Sequence, residues 1–146
     1  MENIVYRNGD GEIQIQLESI EDSGRFRRER CYSFSILHQG IYVGYVDYRS
    51  GPYEIMYYAG NIGYRINFQH RGHHYALKAT RLLLEFLIEY ELACSVFITC
   101  SPDNIPSRKT IEKLSARFLE EVDVPRKHWL YKRGEKRKLI YEINLV

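Results

Sequence analysis

The chain has 146 residues, 45% of them apolar and 27% charged, which suits one globular domain spanning 1–146 and excludes a disordered or fibrous chain. Lysine and arginine number 21 against 19 acids, and a net charge of +2 points by itself to neither nucleic acid nor a membrane surface. The densest apolar run, LLLEFLI at 82–88, is broken by Glu85. The N-terminus has no basic start followed by an apolar core, and three cysteines without a CxxC support neither a disulfide framework nor a zinc knuckle. A reduced, cytoplasmic protein with no membrane segment is expected.

In chain order, 12–18 (EIQIQLE) alternates apolar and polar residues and reads as a strand with one buried face. The charged stretch 19–30 has no clean period and holds four arginines within 25–30. Residues 31–37 and 41–48 read as a hairpin turning at Gln39 and Gly40. After the turn at Ser50, Gly51 and Pro52, a long extended stretch is expected from Glu54 to about Asn67, with Gly60 and Gly63 marking a bulge or a close approach to the backbone.

The period then changes. Between His73 and Leu92 the polar residues His74, Lys78, Arg81, Glu85 and Glu89 recur every three or four positions, which predicts an amphipathic helix. A buried strand over 94–100 follows, then a helix from Asn104 to about Leu114, capped by Asp103 or Asn104. Strands at 117–124 and 138–145 close the chain, joined by a segment with seven lysines and arginines in 126–138. The order is antiparallel strands, then strand, helix, strand, helix and two strands.

The start of the first long helix carries the strongest local signal. Helix N-termini bear partial positive charge and unpaired N–H groups, so acids are favoured there. This one has Arg71, Gly72, His73, His74 and then Lys78. Such an arrangement suits a bound anion, with Gly72 letting the backbone approach it. A solvated basic turn is the plainer alternative.

The run GYRINFQHRGHHYALKA (63–79) resembles the acetyl-CoA signature of the GCN5-related N-acetyltransferases, whose core Arg/Gln-x-x-Gly-x-Gly/Ala is met by Arg71, Gly72, His73, His74, Tyr75 and Ala76. Asn104, Ile105, Pro106 and Ser107, followed by IEKLSARF (111–118), are similar to a second segment, found in the branch acting on ribosomal-protein N-termini and polyamines. The resemblance covers roughly 31–145. It implies an α+β fold with a mixed, mostly antiparallel central sheet of about seven strands flanked by helices.

It also implies that the strand ending at Tyr64, Arg65 and Ile66 splays from strand 94–100 to admit a pantetheine arm through main-chain bonds. The backbone of 71–76 would hold the pyrophosphate, and Asn104 would meet the arm from the other side. The Ile66 N–H would stabilise the oxyanion as acetyl passes from acetyl-CoA to a primary amine, with no metal required. Three family positions are altered: His74 replaces the first motif glycine, Asn61 stands where many members carry a water-linked glutamate, and Ile111 lies where a proton-donating tyrosine is common. Ser107 is the substitute donor, and Glu54 is the nearest upstream carboxylate. The family's first helical pair would be abbreviated into 19–30.

The triplet His70, His73 and His74 lacks the carboxylate of a zinc hydrolase pattern, and Cys94 and Cys100 are read as structural. The acceptor implied is a protein N-terminus, a polyamine or a small amine, in a pocket walled partly by Tyr42, Tyr45, Tyr48, Tyr53, Tyr57 and Tyr58. The basic segment 126–138, with Trp129 and Tyr131, is either a solvated loop or a grip on an acidic acceptor, a ribosomal surface or nucleic acid. A homodimer is left open. The competing reading is a CoA-binding or nucleic-acid-associated module that kept the fold and lost its proton relay.

Overall fold

A computed structural model describes residues 3–23 and 28–146. Five strands form an antiparallel meander: β1 (Val5–Arg7), β2 (Ile13–Ser23), β3 (Glu29–His38), β4 (Ile41–Ser50) and β5 (Ile62–Ile66). Three more form a second antiparallel sheet in the order β6 (Ser95–Cys100), β8 (Arg137–Asn144), β7 (Arg117–Asp123). Four helices connect them: α1 (Tyr53–Ala59), α2 (Tyr75–Glu89), α3 (Ile105–Glu112) and the single turn α4 (Trp129–Lys132). The α+β class expected is the one observed, with eight strands among the described residues split into groups of five and three. No helix among the described residues is long and apolar enough to cross a membrane.

Alternation along the strands builds the core. Ile13 and Ile15, Tyr32, Phe34 and Ile36, and Val43, Val46 and Tyr48 are buried on one face of the meander. Helix α2 lies across that face and buries Leu82, Leu83, Phe86 and Leu87. Phe86 meets Phe34 and Tyr32 edge-on at 5.0 and 5.9 Å, the geometry that ring quadrupoles favour.

Two stretches differ from the sequence expectation. Residues 54–59 are helical rather than extended, and the strand begins only at Ile62. The chain turns at Pro52, helix α1 buries Met56, and Gly60 ends it at φ 82°. The charged stretch 19–30 is not an abbreviated helical pair where it is described: β2 and β3 run on through 19–23 and 29–30 as a two-stranded ribbon, with Arg30 Nε donating to Asp22 at 2.7 Å. Gly24, Arg25 and Arg27 lie outside the described residues.

The sheets meet at a seam between β5 and β6, which share no ladder among the described residues. Asn61 fastens one end of it. Its backbone N–H donates to Phe97 O at 2.7 Å, its Oδ1 accepts from Phe97 N at 2.7 Å, and its Nδ2 donates to Arg49 O at 2.9 Å. Gly60 closes against the same strand, where an added Cβ would stand 3.3 Å from Thr99 N.

Candidate functional site

The far end of the seam opens because β5 is paired on one side only. Arg49 N donates to Asn61 O and Asn67 N to Val43 O, so the main chain of the odd-numbered residues faces β4. By the alternation of an antiparallel ladder, the main-chain groups of Tyr64 and Ile66 point the other way, toward β6. Gly44 of β4 stands opposite Ile66, one residue past the bulge in the β3–β4 pairing. No side chain fits at Gly44, where a Cβ would stand 2.1 Å from Arg65 O.

Beside this edge lies a cleft of about 920 Å³. It brings together Tyr64, Arg65 and Ile66 from β5, Arg71, Gly72, His74, Tyr75 and Ala76 from the start of α2, and Asn104 and Ser107 from the start of α3. Of the residues expected at a cofactor, His73 alone does not line it; its ring stacks on Tyr75 at 5.2 Å. Gly72 has φ 92° and nothing within 4 Å of a would-be Cβ, leaving its backbone open to approach. His74 caps α2 in the left-handed region at φ 61°, the conformation that would favour the motif glycine it replaces. The first turn of α2 has neither an acid nor a side-chain cap bond. Arg71 Nε donates to Ile66 O at 2.9 Å, tying the loop to the β5 edge.

On the opposite wall, Asn104 caps α3, its Oδ1 accepting from Ser107 N at 3.2 Å. The Ser107 hydroxyl lies 2.9 Å from the Tyr64 hydroxyl, so the two form a hydrogen-bonded pair across the cleft. Burial raises the Tyr64 pKa, while bonds to Ser107 and Thr110 pull it back. The phenol therefore carries its proton at neutral pH. This partner for Ser107 was not evident in the sequence, since Tyr64 and Ser107 are 43 residues apart.

Two residues expected in the chemistry are placed elsewhere. Neither Asn61 nor Glu54 lines the cleft. Both amide atoms of Asn61 are engaged at the seam, and Glu54 stands on the exposed side of α1, 3.6 Å from Arg28. The tyrosine wall is also corrected. Tyr45 lines the cleft, Tyr48 is in the core, Tyr42 is half exposed, and Tyr53, Tyr57 and Tyr58 are drawn into α1. There Tyr53 and Tyr57 pack edge-on against Phe97, and Tyr58 against His128.

The basic segment is folded rather than a loose loop. His128 is buried, its Nδ1 accepting from Leu130 N and its Nε2 donating to Ile55 O, both at 3.0 Å. These bonds seat α4 beside α1, so that Trp129, Leu130 and Arg133 reach the cleft. Asp47, Arg49 and Thr99 also line it and were missed by sequence reasoning. The one available hint was the acid of VDY falling on the outward phase of a strand that otherwise buries alternate residues.

Comparison with known proteins gives the family. The model of the Acetyltransferase (GNAT) domain matches residues 7–117. An uncharacterised N-acetyltransferase of Bacillus subtilis, YjdG, is 33% identical over 70 residues, 48% of this chain and 41% of that protein. Among solved structures, Mycobacterium smegmatis RimJ in complex with CoA-disulfide aligns with a TM-score of 0.60 at 18% identity, covering 78% of this chain and 53% of that one. RimL, a ribosomal L7/L12 alpha-N-protein acetyltransferase in an apo crystal form, aligns with a TM-score of 0.69 at 9% identity over 99% of this chain and 96% of that one. These two likenesses concern the fold. The chain spans about two fifths of the curated relative's length. It belongs to the GNAT acetyltransferase family.

Proposed function

We propose that this member of the GNAT family is an acetyl-CoA-dependent N-acetyltransferase acting on a primary amine. The observation that carries the reading is the cleft itself: a β5 edge unpaired by β4 runs directly into an acid-free helix start crowded with Arg71, Gly72 and His74. The edge suits an amide-bearing arm by strand addition, and the helix start suits a phosphate. Acetyl-CoA would supply an acyl group activated as a thioester. The residues of the chain then have separable tasks.

The N–H groups of 71–76 and the Arg71 guanidinium bind negative charge. Main-chain groups of Tyr64 orient the arm, and the Ile66 N–H is the donor available to a carbonyl oxygen that gains charge, the Ile66 carbonyl being held by Arg71. Ser107 and Tyr64 hold a proton at the mouth of α3 and can release it to a thiolate. Asn61 and Glu54 are assigned no proton, the first because its amide is engaged and the second because it lies outside the cleft. A protein N-terminus is one candidate acceptor, since the relatives include enzymes named for ribosomal proteins.

Calorimetry with acetyl-CoA and a thiol-release assay over an amine panel test this reading. Binding at micromolar concentration with thiol release is expected, and Arg71→Ala should weaken binding by about 1–3 kcal/mol, the range for a lost charge-assisted contact. An absence of binding would sink the reading. Binding without release on any amine would favour a module that has lost its activity.

A further inference from the structure

The cleft straddles β5, and its two sides differ in chemistry. In the β4–β5 register the core residues Val46 and Tyr48 stand opposite Tyr64 and Ile62, so these four side chains share the face that α2 covers. Tyr64 meets Ser107 on that side, which gathers the starts of α2 and α3 there. Tyr45 and its partner Arg65 take the other face, as do Asp47 and its partner Gly63. In the second sheet Ile98 and Cys100 are core residues, and Thr99 between them donates to Tyr58 O, so α1 lies on the outer side. Helix α4 is seated on α1 through His128, and Trp129, Leu130 and Arg133 therefore enter the cleft from the outer side. One chamber faces the two helix starts; the other is walled by β4, β5 and α4.

The outer chamber is cationic, and its acids are already engaged. Arg49, Arg65, Arg133 and Lys138 line it against Asp47 and Glu135. Glu135 is held by Arg133 at 3.2 Å and Lys138 at 2.7 Å. Asp47 is paired with Arg49 and bonded by the Gly63 backbone. Arg65 is exposed and has no acid in ion-pair range among the described residues. These cations lie on the face away from the helix starts, so a phosphate bound at those starts does not account for them. A positive potential favours a free amine over an ammonium, and the free amine is the form that attacks a thioester. It also draws in acceptors that carry negative charge elsewhere.

We propose that the acceptor is the N-terminal amine of a peptide chain with acidic side chains in its first few residues, recognised in the outer chamber by Arg65 and Arg133. This rests on the acetyltransferase reading above and deepens it. The cations come from β4, β5, α4 and β8, around the chamber rather than at one point, which suits charges spaced along a chain. Arg133 lies over the exposed Trp129 ring at 5.2 Å, a contact that seats its guanidinium at the rim. A polyamine would meet repulsion with no uncommitted carboxylate to offset it. A neutral N-terminus would gain nothing from the two arginines.

The experiment measures kcat/KM by thiol release for peptides of one length and one first residue, whose next positions are acidic, neutral or basic, with spermidine and free aspartate alongside. Nearby carboxylates raise the amine pKa and lower its free fraction, so intrinsic reactivity runs against the expected order. The acidic peptide should exceed the neutral one by about fivefold or more, the product of two or three exposed charge contacts. Raising salt from about 0.05 to about 0.5 M should remove most of that advantage. Arg65→Gln and Arg133→Gln should each lower the ratio and together bring it to about one. Arg71→Ala, on the other side of β5, should leave the ratio within about twofold. Any other panel member used as well as the acidic peptide, a ratio unchanged in the double variant or by salt, a ratio lost in Arg71→Ala, or turnover of none of the panel would overturn the inference. Acetyl-CoA binding measured in parallel separates the two levels. If binding is intact, only the acceptor assignment falls; if it is absent, the acetyltransferase reading falls too.

Discussion

Replacing Asn61 by alanine separates a fastening role from a chemical one. The substitution removes the bond from Phe97 N to Oδ1 at 2.7 Å and the bond from Nδ2 to Arg49 O at 2.9 Å, both part-buried. Each lost bond is worth about 1 kcal/mol, and a buried group left unsatisfied adds about 1–3 kcal/mol. With the Phe97 N–H as the more deeply affected group, a loss of about 2–4 kcal/mol is expected. For a domain of this size that lowers Tm by roughly 6–15 °C. Asn61→Asp is a second probe, because a carboxylate accepts from Phe97 N but cannot donate to the Arg49 carbonyl. Thermal unfolding followed by circular dichroism gives the stability. Acetyl-CoA affinity and turnover are measured well below the transition, where every variant is folded. The reasoning is refuted if Asn61→Ala unfolds within about 0.5 kcal/mol of the wild type while turnover collapses, since Asn61 would then act on the reaction.

Gly44→Ala should cost about 3 kcal/mol or more, because its Cβ would meet the Arg65 carbonyl at 2.1 Å; a normal melting curve would remove the claim that Gly44 sets the β5 edge. His74→Gly should stabilise the chain by up to about 1 kcal/mol in urea denaturation, by relieving a left-handed histidine at φ 61°, and a loss would show that its side chain contributes more than the strain removes. Ser107→Ala and Tyr64→Phe should each lower kcat about tenfold or more, with acetyl-CoA affinity held within twofold; additive losses in the double variant would mean that the two hydroxyls do not work as one pair. Burial raises the pKa of Asp47, against the opposing pull of Arg49 and the Gly63 backbone, so the folded chain holds that proton more tightly than the unfolded one. Its contribution is therefore present below the ordinary carboxylate pKa of about 3.9 and lost as pH rises through the folded value, and Asp47→Asn should gain stability relative to the wild type as pH rises above about 4. A pH-independent difference would refute that assignment.

The sequence was readable where one physical constraint acted on a whole segment. Helix α2 must bury one stripe and solvate the other, so its polar positions from Lys78 to Glu89 repeated at helical spacing, and the boundaries shifted by only two or three residues. The helix start that lines the cleft stood out because a cationic, acid-free N-terminus contradicts the usual preference. Helix α1 was not, since YEIMYYA is rich in residues that favour strands, and its helical state rests on tertiary contacts of Met56 and Tyr57. The ribbon at 19–23 and 29–30 showed no period because it extends past the core with largely exposed side chains, so nothing imposes alternation. Asp47 was hidden for a different reason. Its phase on β4 was visible, but whether that face meets water or a cleft depends on Trp129 and Arg133, more than 80 residues away.

The seam explains why positions inferred as catalytic divide into two groups. A strand edge with unpaired main-chain groups invites non-specific pairing unless the fold fixes what can reach it. Here Asn61 and Gly60 bring β5 and β6 together at one end, and at the other the Tyr64–Ser107 pair links β5 to the start of α3. The opening is therefore held from both ends and has a set width before any ligand arrives, which reduces the ordering entropy that binding must offset. Asn61 lies where a base would be expected because that point is the vertex of the opening, and a side chain there sees both strands. In this chain the vertex is used for fastening, through both amide atoms and the backbone N–H of Asn61.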